Sequence, residues 1–192
     1  MKYFFFILGI MIIFAGCNQK KKEKKDTSQY FPILSYLQSQ VKQVDTSLFR
    51  ITKVETKGSV TDSVIINRSD VRKYASDFLD IPNLREVDQG SDYNETRIYD
   101  SVLGLAVLSY LSEDEDQEVT RQEVQIIPGF GGKDRVKTLY IEKEEEKGSD
   151  LIEKKMIWEV DKYFHIRTIT HLKNGTENIH DLKVLWQDFQ SN

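Results

Sequence analysis

The sequence predicts an α+β fold: two N-terminal helices with a hairpin between them, then a long antiparallel meander of about seven strands curling around the helices. Three observations carry that expectation. Apolar residues from Tyr30 to Val44 recur at helical spacing. From residue 93 onward, β-rich runs follow one another with breaks too short for helical crossovers, so sequential strands must pair antiparallel. Asn174-Gly175 sits between two alternating runs, and that dipeptide is the strongest short hairpin signal because it accepts positive φ.

Taken in order, Tyr30, Ile33, Leu34, Leu37, Val41 and Val44 form one stripe with Gln and Lys between them, and Pro32 is tolerated in the first turn. The stripe suits packing on the domain's own sheet. Residues 48–55 and 60–66 are rich in β-branched side chains around Lys57-Gly58-Ser59, which predicts a hairpin. Ser69 can cap a second helix that carries Val71, Tyr74, Ala75, Phe78 and Leu79 on one face and ends before Pro82. Asp88 to Asp92 is expected as a loop. The meander strands are expected at 93–100, 104–112, 118–127, 134–144, 150–160, 163–173 and 177–187.

Ahead of this domain lies a different kind of segment. Lys2 is followed by an apolar run from Tyr3 to Phe14, then Ala15, Gly16 and Cys17. A charged start, a short apolar core and small residues before a cut match a signal peptide, and the run falls short of the ~20 residues a membrane span needs. Phe14-Ala15-Gly16-Cys17 resembles the lipobox of bacterial lipoproteins, with Phe14 where leucine is usual. The resemblance implies removal of residues 1–16 and acylation of Cys17. Cys17 is the single cysteine, so the chain has no internal disulfide and no thiolate metal cluster. Residues 17–29 are expected to be the lipidated cysteine and a disordered linker, since Asn18 to Gln29 has no apolar residue and carries Lys20, Lys21, Lys22, Lys24 and Lys25. The single folded domain is expected over 30–192.

The chain as a whole resembles lipoproteins of the Bacteroidota. Asn18 is not the aspartate that retains enteric lipoproteins at the inner membrane, and no acidic cluster of the cell-surface type follows the cysteine. Both resemblances imply the outer membrane, on its periplasmic face. In outline the predicted fold is similar to the half-barrel of lipoprotein carriers and outer-membrane lipoprotein receptors, or to a cystatin-type sheet around a helix. A net charge of −4 argues against nucleic acid as a partner.

The last three strands give a candidate pocket. With Asp161-Lys162 and Asn174-Gly175 as two-residue turns, Trp158 lies opposite His165, Arg167 lies between Met156 and Leu182, and Tyr163 lies between Val160 and Trp186. One face then holds Trp158, Tyr163, His165, Arg167 and Trp186, with Arg167 able to meet a carboxylate or phosphate. A filled core with satisfied polar tips is the competing expectation for that face. A one-residue slip at the Asp161-Lys162 turn would divide the set.

Catalytic patterns are not found. The chain has no Gly-x-Ser-x-Gly, no His-Glu-x-x-His and no dinucleotide fingerprint. Gly129 to Lys133 lacks phosphate-loop spacing and suits a wide hairpin turn. His165 and His171 are too far apart along a strand to share a metal, and His171 with His180 lack a third ligand. Glu113 to Asp116 and Glu144 to Glu146 read as solvated turns rather than calcium loops. Asp62-Ser63-Val64 and Asp100-Ser101-Val102 resemble the short O-glycosylation motif of Bacteroidota. The expectation is therefore a lipid-anchored, non-catalytic binding or scaffold module with no cofactor, held to a membrane by its N-terminal lipid and meeting an envelope protein or hydrophobic ligand. The alternative is a lipid- or lipoprotein-handling receptor with a half-barrel pocket.

Overall fold

The computed structural model describes residues 25–186. The signal peptide, Cys17 and the linker lysines up to Lys24 lie outside the described residues. Within them the chain is predominantly β: one nine-stranded antiparallel sheet accompanied by four helices. The helices are α1 (Ile33–Thr46), α2 (Arg68–Tyr74), α3 (Ser76–Leu79) and α4 (Val87–Gly90). The strands are β1 (Ile51–Lys57), β2 (Val60–Ile66), β3 (Tyr93–Asp100), β4 (Leu105–Ser112), β5 (Val119–Ile127), β6 (Arg135–Lys147), β7 (Asp150–Glu159), β8 (Tyr163–His171) and β9 (Glu177–Leu185). No helix among the described residues is long and apolar enough to cross a membrane.

The sheet order is β2-β1-β9-β8-β7-β6-β5-β4-β3. Strands β3 to β9 are therefore sequential neighbours, as their short connections require. The β1–β2 hairpin docks on the last strand, with Thr52 opposite Leu185 and Lys57 opposite His180. This long-range pairing makes the first hairpin part of the meander's sheet.

The helices lie over one face. Ile33, Leu37, Val41 and Val44 of α1 are buried, joined by Val71 of α2 and Phe78 of α3. These meet Leu139, Ile141, Met156, Trp158, Phe164 and Val184 of the sheet in one core. Alternation along each strand turns the remaining side chains to the open face.

Several expected boundaries shift. The expected second helix breaks at Ala75 (φ −91°, ψ 8°) into α2 and α3, which lets Val71, Ala75 and Phe78 all reach zero exposure. The expected loop at 88–92 contains the single turn α4. The first strand begins at Ile51 rather than residue 48, because Ser47 to Arg50 form the turn out of α1 and leave Leu48 and Phe49 in solvent. The expected linker is also shorter. Lys25 donates to the Tyr93 carbonyl, to Asn94 Oδ1 and to Glu113 Oε2. Thr27 is fully buried and donates to the Arg85 carbonyl. The folded domain thus includes residues 25–29.

Candidate functional site

The predicted pocket residues divide between the two faces. In the structure Trp158 pairs with Phe164, Ile157 with His165 and Lys155 with Arg167. Across the next junction Phe164 pairs with Val184 and Arg167 with Asp181. Paired residues share a face. Trp158, Phe164 and Val184 therefore point to the helices, while Tyr163, His165 and Arg167 point to the open face.

The cause lies in the two turns, each one residue longer than two. Between β7 and β8 the Lys162 N–H donates to the Glu159 carbonyl at 3.1 Å, and Asp161 has φ 64°. That is the positive φ which the third position of a type II turn requires, and Asp tolerates it better than most residues. Between β8 and β9 the Gly175 N–H donates to the Leu172 carbonyl, the Leu172 N–H donates to Thr176, and Gly175 has φ 81°. Three residues bridge each hairpin, the register moves by one, and the side chains change partners.

The helix-covered face is a filled aromatic core at this place. Trp158 stacks on Phe164 with centroids 5.2 Å apart and lies 5.3 Å from Trp186. Phe78 closes on both from α3, at 5.4 Å and 5.6 Å. Trp158 and Phe164 have no exposed surface, so this part of the expected pocket is occupied by the protein's own helix.

On the open face Asp181 is the centre. Arg167 donates from Nε to Oδ1 at 2.8 Å and from Nη2 to Oδ2 at 3.1 Å, and His165 Nε2 lies 2.7 Å from Oδ1. The Arg167 guanidinium, then His165, hold the Asp181 carboxyl below its usual range. Lys183 stands over the Tyr163 ring at 4.0 Å. Arg167 is thus already engaged by a carboxylate of its own chain. The other histidines are engaged likewise: His171 lies 3.0 Å from Glu153 and His180 lies 2.8 Å from Glu55.

The open site is elsewhere. A groove of about 840 Å³ runs between α1 and the strand ends around the β5–β6 loop and the β7–β8 turn. Phe31, Pro32 and Tyr36 form one wall and Ile127, Val136 and Val160 the other. Its acids have protein partners: Asp134 accepts from the Gly129 N–H, Asp161 from Gln43, and Glu159 from Lys162. Arg135 and Lys137 are exposed there and make no ion pair among the described residues. Burial pushes the Tyr36 hydroxyl above its ordinary range. The groove therefore presents an apolar bed with two cations at its edge.

Sequence spacing misses this groove, since it joins a helix face to three strand ends far apart in the chain. The one local signal was Phe130, an aromatic residue alone among the glycines of the β5–β6 loop.

No protein-family model matches the chain, and no curated protein or solved structure matches it either.

Proposed function

We propose that the protein is a lipid-anchored, non-catalytic binding module of a bacterial envelope, tethered through Cys17 and working at the outer membrane, on its periplasmic face. The observation that supports it is the groove beside α1. It is open and amphipathic, and its carboxylates are already bonded within the protein, which suits recognition better than proton transfer. The lipobox-like Phe14-Ala15-Gly16-Cys17 supports the address. The ligand is an envelope protein segment or an amphipathic molecule with an apolar body and an acidic head, which Arg135 and Lys137 would meet.

A photo-crosslinker at Tyr36 or Val136, used in intact envelopes, tests this reading. A discrete crosslinked partner is expected, and it should be lost when Arg135 and Lys137 are both changed to Glu. Recovery of bulk lipid alone would count against it. Palmitate labelling that fails, or that survives Cys17→Ser, would remove the anchor.

The second reading is a lipid- or lipoprotein-handling receptor, in which the sheet curls as a half-barrel about α1 and the groove is its mouth. The apolar walls of the groove favour it. Mass spectrometry of the purified protein should then find acyl-chain ligand, depleted by Val136→Asp.

A further inference from the structure

The connections at the two ends of the sheet differ in chemistry. One end carries the Ser47–Arg50 turn, the β3–β4 turn, the β5–β6 loop and the β7–β8 turn, as strand direction dictates. There Val102 is 92% exposed, Leu103 67% and Phe130 fully exposed, with Leu48 at 90% on the far margin. The other end carries Gly58-Ser59, residues 113–118, Gly148-Ser149 and residues 172–176. None of those turns holds an exposed large apolar side chain; the exposed apolar groups closest to them, Val60, Leu111 and Ile179, lie within strands. The 113–118 turn is acidic instead, from Glu113 to Glu118.

The charges at the apolar end are arranged in the same sense. Asp100 turns its carboxylate back to accept from the Val102 and Leu103 N–H groups, at 2.9 Å each. Asp134 does the same for Gly129. Lys133 and Arg135 are exposed beside Phe130 and make no ion pair among the described residues. The β3–β4 turn and the β5–β6 loop are adjacent in the sheet order, so these apolar tips and free cations form one margin.

We propose that this margin is a membrane-docking rim: Val102, Leu103 and Phe130 enter an anionic bilayer while Lys133 and Arg135 meet its headgroups. Apolar loop tips flanked by cations gain from both the acyl boundary and the surface potential. The acidic end then faces away from the membrane. A water-soluble partner would need a concave or flat surface, whereas separate protruding tips suit a deformable one.

The position of the tether agrees, and this part rests on the lipid proposed at Cys17. Lys25 is held at the start of β3, the edge strand. The stretch from Cys17 to Lys25 spans at most about 28 Å when extended. The eight residues of β3 rise about 26 Å. The anchor therefore reaches the level of the β3–β4 turn only along the β3 edge, which tilts that edge and its apolar tips toward the bilayer.

The test uses the mature, acylated protein in vesicles of phosphatidylethanolamine and phosphatidylglycerol with brominated acyl chains. Phe130→Trp adds an indole at a fully exposed position, and Val60→Trp adds one at the opposite end; Trp158 and Trp186 are buried and form a constant background. Most of the emission added at position 130 should be quenched, and that added at position 60 should not. Flotation of Cys17→Ser reads the anchor separately. Quenching at 130 with flotation independent of Cys17 keeps the rim and removes the anchor. Flotation that needs Cys17, with no quenching at 130 or equal quenching at 60, overturns the rim and leaves a protein partner or a second copy as its occupant. A chain that does not float at all overturns both.

Discussion

Phe78 of α3 meets Trp158 of β7 edge-on, with ring planes at 85° and centroids 5.4 Å apart. Both side chains are fully buried, and Phe164 stacks beneath the same indole. A four-residue helix has little stability of its own, so this contact fixes α3 on the sheet. Phe78→Ala should therefore cost about 3–5 kcal/mol through lost burial and a residual cavity. Urea unfolding followed by tryptophan fluorescence would measure it, with a red-shifted native spectrum as water reaches Trp158.

Lys143 is a less expected part of the interior, at 1% exposure. Its ammonium donates to the Asp80 carbonyl at 3.1 Å and meets Asp80 Oδ2 at 3.3 Å, with Glu145 and Glu118 at 3.7 and 3.8 Å. Asp80 and Glu118 are themselves mostly solvent-exposed, so removing the lysine strands no buried charge. Lys143→Met keeps the volume and should cost less than about 1.5 kcal/mol. Lys143→Ala opens a cavity and should cost roughly 2–4 kcal/mol. Chemical denaturation of the pair separates packing from charge; a Met variant as weak as the Ala variant would show that the ion cluster dominates.

Glu55 accepts from Lys53 at 2.8 Å, Lys57 at 2.9 Å and His180 at 2.8 Å. Lys53 first, then Lys57, holds its carboxyl down to about 2. A depressed folded-state value means that the bound carboxylate stabilises the fold above the unfolded-state range and that this contribution is lost as pH falls toward 2. Stability should drop by roughly 1–2 kcal/mol from this group between about pH 5 and pH 2, after allowance for solvent screening. Urea midpoints across that range should fall more steeply for wild type than for Glu55→Gln.

Gly90 ends α4 where a side chain has no room. An added Cβ would lie 1.9 Å from the Leu84 carbonyl oxygen and 3.0 Å from Thr27 Cγ2. Thr27 is the buried residue that fastens the chain's first described segment. Gly90→Ala should therefore cost at least about 1–3 kcal/mol and loosen that segment. Limited proteolysis should show faster cleavage near Lys24 and Lys25, and thermal unfolding should shift downward.

The strands of the meander were legible because each carries alternating or β-branched runs between polar breaks, and β3 to β9 fall where those runs predict. The docking of β1 on β9 was not legible, since nothing local marks a pairing between Lys53 and Val184. The covered aromatic cluster was half legible: Trp158 and Trp186 were expected on one face and are there, but Tyr163, His165 and Arg167 belong to the other. Alternation alone cannot choose between them, because β8 is amphipathic in a mild way, with Phe164 and Ile166 inward and His165 and Arg167 outward. The choice is made in the turn, and turn length is set by backbone conformation at one residue.

That residue is Asp161, the one non-glycine described with positive φ. Its carboxylate also accepts from Gln43 of α1 at 3.1 Å, so it joins turn to helix. Asp161→Gly removes the steric cost at φ 64° and loses an exposed hydrogen bond, and the two effects should nearly cancel, leaving stability within about 1 kcal/mol of wild type. Asp161→Val places a β-branched side chain in the same conformation and should cost roughly 1–2 kcal/mol or more. The telling measurement is register. In an amide-exchange or nuclear Overhauser experiment the Trp158–Phe164 pair should persist in Asp161→Gly. Deleting Lys162 to force a two-residue turn should slip β7 against β8 and set Trp158 opposite His165. Such a slip would bring a polar residue onto the aromatic core, so the deletion should unfold at much lower urea than either substitution. A deletion variant as stable as wild type would mean that the turn does not govern the pairing.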